Sequence, residues 1–232
     1  MLSQIMESAV DNGLIVTTPC RGVRLPRMPQ SEPHILTPEE AARIVESAPA
    51  PHDLLIALLA FNGLRIGEAF ALRRGDIDVS RRLLVVDENL AEANGALVFD
   101  TPKSHQKRTL ALAASLAERL GTYLTGLPED SEELLFTNRD GNPLRYNQWR
   151  KAHFNPAVSA AGLGDITPHD LRASHGTWVA DRYGVMTAAH RLGHSNASVT
   201  TRHYARPVAG RDSEVAEAAD AWMTGKDGAS GT

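Results

Sequence analysis

The spacing of the apolar residues changes twice along this chain of 232 residues. On both sides of a short middle section, apolar residues recur three and four positions apart, which is the spacing of helices. Within the middle section the pattern instead predicts three short strands joined by turns: Leu83–Asp87, Ala96–Asp100 and Arg108–Leu112. We therefore expect a mainly α domain with a small three-stranded antiparallel β-sheet, an α+β fold.

Local sequence patterns also predict where two of the helices begin. Thr37 precedes Pro38 and has Glu40 three positions later, which is typical of a capping box. Thr167 precedes Pro168 and is also expected to cap a helix. The predicted helices are Ser3–Asn12, a helix from Thr37 onward, His52–Asn62, Ile66–Leu72, Ala113–Leu124, Asn147–Ala161, Pro168–Arg182, Val185–Leu192, Ala197–Tyr204 and Ser213–Met223.

The stretch from Leu14 to Pro33 differs from the rest, because it holds four prolines, three arginines and few periodic apolar positions. We interpret residues 14–33 as an extended linker. The linker separates a short helix in residues 1–13 from the main domain, residues 34–211. Residues 212–232 are expected to form a last amphipathic helix followed by a disordered tail.

Composition indicates where such a chain would act. The single cysteine, Cys20, allows no intrachain disulfide and favours a reduced, cytoplasmic compartment. No run approaches the roughly 18 apolar residues of a membrane span, and the N-terminus lacks the pattern of a signal peptide. The sequence therefore predicts a soluble protein without membrane contact.

The formal net charge of −4 argues mildly against DNA binding, since neutralising phosphates requires Lys and Arg. The charges are unevenly distributed, however. Acidic residues gather in residues 128–133 and after Asp212, whereas basic residues gather in short clusters such as residues 103–108 and 202–211. One basic face on a mildly acidic body is therefore expected.

Two basic residues lie in distinctive local contexts in the first half of the main domain. Arg65 lies between Gly63 and Gly67 at a helix start, and Lys103 lies in the turn between two predicted strands. Each feature alone is typical of a solvated side chain. Their significance depends on the polar residues further along the chain.

Four such polar residues lie in the second half. His169 and Arg172 are three apart in the first turn of the helix that Thr167 caps, which places them on one helical face. His194 ends the run Leu192-Gly193-His194, and Tyr204 comes ten residues after it. The order arginine, lysine, His-x-x-Arg, histidine and tyrosine indicates a function, whereas each of these motifs by itself does not.

In order and local context, these residues resemble the catalytic domain of the tyrosine recombinases, the phage-integrase family. The resemblance covers about His34 to Arg206 and implies the fold of DNA breaking-rejoining enzymes for residues 34–211. It also implies that residues 1–13 are a remnant of the last helix of the core-binding domain and that residues 14–33 are an interdomain linker. One departure is Ala173, which stands where many members carry another histidine.

The resemblance implies a site-specific DNA recombinase that cleaves and rejoins strands through a 3′-phosphotyrosine intermediate. The catalytic residues it implies are Arg65, Lys103, His169, Arg172, His194 and Tyr204. Two guanidinium groups suit the clamping of a phosphate and the charge of its transition state. A tyrosine with an ordinary pKa of about 10 needs activation before it attacks.

The remaining three residues fit the other steps of strand cleavage. His169 would accept or relay the tyrosine proton, and Lys103 would protonate the departing 5′ oxygen. His194 would add a hydrogen bond to the phosphate. Because the phosphotyrosine bond stores the cleavage energy, no ATP, metal or other cofactor is expected.

The resemblance also implies partners and a setting. The expected partner is double-stranded DNA, with self-association into a tetramer on paired DNA sites and the option of accessory DNA-bending proteins. The expected setting is the cytoplasm of a bacterium, with a bacterial or phage-encoded protein associated with the nucleoid.

Three alternatives remain open at this point. A catalytically weak or inactive DNA-binding fragment would keep the fold and lose the chemistry, and a type IB topoisomerase-like enzyme would share the chemistry. A metal site at His190 and His194 has ligand spacing but places Arg191 where the H-E-x-x-H motif has glutamate. The cation at that position disfavours a metal dication.

Overall fold

The structure is a computed structural model that describes residues 2–23, 34–100 and 107–193. The chain divides into two compact units, Met1–Glu32 and Pro33–Thr232. The first unit contains helix α1 (Leu2–Asp11), which confirms the helix expected near the N-terminus and has no buried residue. The predicted helices Ala197–Tyr204 and Ser213–Met223 lie outside the described residues.

The second unit is mainly helical. Its described α-helices are α2 (Pro38–Ser47), α3 (His52–Asn62), α4 (Ile66–Ala71), α5 (Ala114–Leu124), α6 (Tyr146–Trp149), α7 (Asn155–Ala160), α8 (Pro168–Tyr183) and α9 (Val185–Leu192). A π-helical stretch, Arg150–Phe154, joins α6 to α7, so the single helix predicted there is continuous but locally widened. No helix within the described ranges is long and apolar enough to cross a membrane.

Two of these helices begin at capping boxes. At α2, the backbone N–H of Thr37 donates to Glu40 Oε2 at 2.9 Å, and Thr37 Oγ1 accepts from the backbone N–H of Glu40 at 3.2 Å. At α8, Thr167 and Asp170 make the same reciprocal pair. Each box satisfies backbone N–H groups that the first helical turn leaves without partners. The predicted starts of both helices are confirmed.

The strands are β1 (Ile77–Asp78), β2 (Leu83–Val86), β3 (Asn89–Ala93), β4 (Ala96–Asp100) and β5 (Arg108–Ala111). A three-stranded antiparallel sheet has the order β1-β2-β5, as the fold class predicted, but β4 is not part of it. Instead, β4 pairs with β3 as a separate hairpin. The expectation that Ala96–Asp100 joins the sheet is wrong.

The local turn explains this difference. Asn94 and Gly95 have φ values of 52° and 80°, which suit a two-residue hairpin turn of the primed type. This turn directs β4 back along β3, with Ala93 opposite Ala96. The hairpin then packs on α4 at Gly67, where an added Cβ would lie 2.6 Å from the backbone oxygen of Leu90.

Helix α3 lies at the centre of the core, packed against α2 and α8. Nine of its eleven residues are buried, as expected for a helix that is apolar all round. Most buried side chains of this unit are aliphatic or aromatic. Among the described residues, the buried charged side chains are the exception, and they are Glu68, Arg108, Asp170 and Arg172.

Candidate active site

A carboxylate surrounded by three guanidinium groups lies where α4, β5 and α8 meet. Glu68 Oε1 is 2.8 Å from Arg65 Nη1. Arg108 binds Glu68 with both terminal nitrogens, at 3.0 Å to Oε1 and 2.7 Å to Oε2. Arg172 Nη1 lies 3.9 Å from Glu68 Oε2. Arg65 and Arg172, both predicted site residues, are thus brought together around one carboxylate.

The ionisation of Glu68 follows from these neighbours. Burial by itself would raise the pKa of its carboxyl group. The hydrogen bond and charge of Arg108, the charge of Arg172 and the backbone N–H of Arg65 outweigh burial and lower the pKa to about 2. Glu68 is therefore an anion at all physiological pH values and holds the guanidinium groups in place.

Arg65 is the most accessible of the three arginines. Its side chain is 27% exposed, whereas those of Arg108 and Arg172 are each 4% exposed. Arg65 is the N-cap residue of α4, and its backbone N–H donates to Glu68 Oε2 at 2.8 Å. Because Glu68 accepts hydrogen bonds from both the backbone N–H and the guanidinium of Arg65, this guanidinium is held at the surface edge of the cluster.

Arg172 is held by the ends of two helices. Its Nη1 donates to the carbonyl of Gly63, which ends α3, and its Nη2 donates to the carbonyl of Leu192, the last residue of α9, at 2.6 Å. Carbonyl groups at helix C-termini carry partial negative charge and lack helical partners. A buried guanidinium satisfies them and is fixed in its own orientation.

His169 lies one turn before Arg172 on α8 and is exposed, whereas Arg172 is buried. The capping box of Thr167 and Asp170 fixes this first turn. The helix therefore carries an imidazole at the surface and a guanidinium beneath it within three residues.

Three predicted site residues lie outside the described residues: Lys103, His194 and Tyr204. Lys103 belongs to the stretch between β4 and β5, and His194 directly follows Gly193, the C-cap of α9. His190, the other half of the metal alternative, is exposed on α9. Within the described ranges, no group of three metal-ligating side chains is found.

Sequence reasoning missed Glu68 and Arg108. A signal for Arg108 exists, because it alternates with Leu110 on β5 and with Leu112 directly after the strand, and all three are buried. An arginine on a buried strand face requires a carboxylate partner. Glu68 is this partner. It lies three residues after Arg65, the N-cap residue of α4, and this spacing is typical of a carboxylate that caps the first turn of a helix.

Comparison with known proteins relates this chain to integrases and tyrosine recombinases. Residues 34–211 match the model of the phage integrase family. The integrase of Mycobacterium phage L5 is 27% identical over 226 residues, which cover 94% of this chain and 60% of that protein. Tyrosine recombinase XerA of Thermococcus kodakarensis is 28% identical over 179 residues, which cover 75% of this chain and 59% of that protein. The chain thus spans about three fifths of the length of these relatives.

A solved structure shares the fold. The Tn1549 transposon integrase, in complex with a circular intermediate DNA, superposes with a TM-score of 0.72 at 20% identity. The match covers 94% of this chain and 76% of that chain. The expected fold, a mainly α recombinase catalytic domain with a small three-stranded antiparallel sheet, is confirmed.

Proposed function

The chain belongs to the phage integrase family, and we propose that it is a site-specific DNA recombinase that cleaves and rejoins strands through a 3′-phosphotyrosine intermediate. The observation that carries the proposal is the arrangement of Arg65, Arg108 and Arg172 around Glu68. Among the described residues, the cluster holds one carboxylate and three guanidinium groups, and its surface edge at Arg65 is accessible to solvent. Such a site favours an anion whose negative charge grows during reaction.

The proposed reaction begins with attack of Tyr204 Oη on the scissile phosphorus. The P–O5′ bond breaks, the 3′ phosphate becomes attached to tyrosine, and the 5′ hydroxyl leaves. His169 takes the proton of the tyrosine, and Lys103 gives a proton to the departing oxygen. Rejoining reverses these steps with the 5′ hydroxyl of a partner strand, so that no bond energy is lost.

The two predicted arginines have distinct parts in this reaction. Arg65, at the surface edge of the cluster, would bind a non-bridging phosphate oxygen on arrival. The guanidinium plane of Arg172 is fixed by the C-terminal ends of α3 and α9. Arg172 would stabilise the negative charge that develops in the transition state. His194 would add a hydrogen bond to the same phosphate.

We further propose double-stranded DNA as the substrate and assembly into a tetramer on paired sites, with accessory DNA-bending proteins where the sites lie apart. The similar Tn1549 integrase is bound to DNA, which supports the first part. The predicted amphipathic segment Ser213–Met223, outside the described residues, would connect neighbouring protomers. The protein would then act at the bacterial nucleoid. Residues 1–13 would be the last helix of a core-binding domain, and residues 14–33 would link that helix to the catalytic domain.

The decisive experiment is covalent trapping on a nicked duplex that carries the cognate recombination site. The wild-type chain should become attached to DNA, and Tyr204→Phe should form no adduct because only the attacking oxygen is removed. Tyr183→Phe is the matched control, since Tyr183 is exposed on α8 and has no part in the mechanism. Circular dichroism should show both variants folded.

Three outcomes would contradict the proposal. An adduct that persists in Tyr204→Phe would mean another nucleophile. No adduct with the wild-type chain, despite DNA binding, would favour the inactive DNA-binding fragment. Rejoining of the cleaved strand only to itself, never to a partner strand, would favour a type IB topoisomerase-like activity.

A further inference from the structure

Arg191, the residue before the last of α9, is a cation without a carboxylate partner among the described residues. Its Nε donates to His175 Nε2 at 3.3 Å, and within the described ranges its two terminal nitrogens have no hydrogen-bond partner. The side chain is half-buried, and burial lowers the pKa of the guanidinium. Partial burial of an unbalanced charge is costly. Such an arrangement is expected where an external anion completes the site.

The partner of Arg191 is an uncharged acceptor. His175 on α8 is only 4% exposed. Burial and, to a lesser extent, the charges of Arg191 and Arg172 lower its pKa to about 3, although a hydrogen bond with the Ala60 backbone partly opposes them. His175 is thus neutral at physiological pH, and only a neutral imidazole can accept at Nε2.

A neutral acceptor has a different effect from a carboxylate. Glu68 orients Arg108 and also cancels its charge, because the two form a paired salt bridge at 2.7 Å. His175 orients Arg191 through Nε and leaves the full positive charge on the guanidinium. The four N–H bonds of the terminal nitrogens remain for a ligand with planar, paired acceptors.

The position of Arg191 relates it to the candidate active site. Its backbone carbonyl accepts from Arg108 Nε at 3.1 Å, and the next carbonyl, that of Leu192, accepts from Arg172. The imidazole of His175 packs on Gly63, where an added Cβ would lie 2.5 Å from His175 Cδ2. The end of α9, which carries Arg191, is therefore hydrogen-bonded to Arg108 and Arg172 of the candidate active site.

We propose that Arg191 binds a DNA backbone phosphate at this site and that His175 is its positioning residue. This inference rests on the proposed function for the identity of the anion. It adds Arg191, as a residue that binds a phosphate, to the six predicted site residues. The arginine would hold the duplex beside the reacting phosphate without taking part in bond cleavage.

The first test measures the affinity of the full chain for a duplex oligonucleotide of arbitrary sequence over a range of salt concentrations. Arg191→Gln should weaken binding equally for all sequences and should reduce the slope of log K against log salt by about 0.9, the value of one phosphate contact. Arg119→Gln is the matched control, because Arg119 is exposed and already paired with Asp53 at 2.6 Å. An unchanged slope in Arg191→Gln would overturn the proposal.

The second test addresses His175. In His175→Gln, the amide oxygen can take the place of Nε2 as an acceptor, so DNA affinity should stay within a few-fold of wild type. His175→Phe keeps a ring against Gly63 but has no acceptor, and it should show the reduced salt slope of Arg191→Gln. Equal DNA affinity of the two variants, at equal thermal stability, would contradict a positioning role.

The third test locates the phosphate. Single phosphates of the cognate site are replaced by neutral methylphosphonates, and binding is measured for wild type and Arg191→Gln. At one position the two losses should not add, since both remove the same contact. Additive losses at every position would overturn the proposal. Because these tests measure binding, they remain informative even if the Tyr204 trapping experiment fails.

Discussion

Glu68 balances the charge of the cluster that it organises. It accepts from Arg65 and Arg108 and faces Arg172, so a single anion holds side chains from α4, β5 and α8. Its charge cancels only one of the three guanidinium charges. In the proposed reaction, attack by a phenolate on a phosphodiester gives a pentacoordinate phosphorus with two negative charges. The excess of positive charge is matched to that state.

The variant Glu68→Gln tests this organising role. It keeps the shape of the side chain but removes the negative charge that the three guanidinium groups share. We expect a loss of about 3–5 kcal/mol in the free energy of unfolding, as for other buried ion pairs that lose one partner. Urea denaturation monitored by circular dichroism gives this value.

Glu40→Gln is the control for Glu68→Gln. It also changes a carboxylate at the third position of a helix, but at a partly exposed site at the start of α2. We expect its cost to stay below about 1 kcal/mol. Similar losses in the two variants would mean that Glu68 acts only as a helix cap.

At the scale of elements, the turn between α3 and α4 determines where the arginines meet. Gly63 ends α3 with φ of 68°, and its carbonyl accepts from Arg172. The same residue lies against His175, with no space for a side chain. The turn therefore joins the start of α4, which carries Arg65, to the middle of α8.

The variant Gly63→Ala should be destabilising for two separable reasons. A residue with a Cβ is strained at positive φ, and the new methyl group would overlap His175. Gly162→Ala isolates the first effect, because Gly162 has φ of 73° and open space around it. We expect thermal unfolding to show a loss of about 1 kcal/mol for Gly162→Ala and at least about 2 kcal/mol more for Gly63→Ala. Equal losses would show that the contact with His175 yields easily.

The elements also show what the sequence could predict. The starts of α2 and α8 followed from Thr-Pro capping patterns, which act locally and are visible without tertiary structure. The strand β4 was predicted in place but assigned to the wrong partner, although Asn94-Gly95 is a local hairpin signal. The strand β1 has two residues, too few for any alternating pattern.

The same distinction holds for the candidate site. Arg65 and Arg172 stood in distinctive local motifs and were predicted, whereas Glu68 and Arg108 are 40 residues apart and are linked only through tertiary contact. Pairing across such a distance leaves no periodic trace in one sequence. The sequence contains two local signals, the alternation of Arg108 with Leu110 and the position of Glu68 three residues after Arg65.

At the scale of the whole molecule, the buried ionisable groups make stability depend on pH. His52, at the start of α3, is stacked on His153 with ring centroids 3.6 Å apart and accepts from Trp149 Nε1 at 3.3 Å. Burial and, to a lesser extent, the charge of His153 lower its pKa to about 4, although the charge of Asp53 partly opposes them. The pKa of His175 is lowered to about 3.

Asp76 acts in the opposite sense. Burial and, to a lesser extent, the charges of Asp87 and Glu88 raise its pKa to about 6, although the backbone N–H and the charge of Arg73 partly oppose them. Between its ordinary value of 3.8 and this value, the folded protein binds more protons than the unfolded chain. The contribution of Asp76 to stability is therefore lost as pH rises through that range.

The two histidines have the larger combined effect, and its sign is definite. Below the ordinary histidine pKa of 6.5, the unfolded chain binds protons at His52 and His175 that the folded protein excludes. The free energy of unfolding should therefore fall as pH decreases from 6.5 towards 4, by up to about 1.4 kcal/mol per pH unit for each histidine. Asp76 opposes only part of this fall.

Urea unfolding at several pH values between 4 and 7 tests the assignment to His52. His52→Asn retains an acceptor near the position of Nδ1 for Trp149 but does not titrate in this range, so its stability should depend less steeply on pH whatever its stability at neutral pH. Asp76→Asn should give a steeper dependence, because the opposing group is removed. His190→Asn, at an exposed position of α9, should leave the dependence as in wild type. If His52→Asn and His190→Asn gave the same pH dependence, the acid sensitivity would arise elsewhere, and the stacked pair of His52 and His153 would be tolerated in its protonated form.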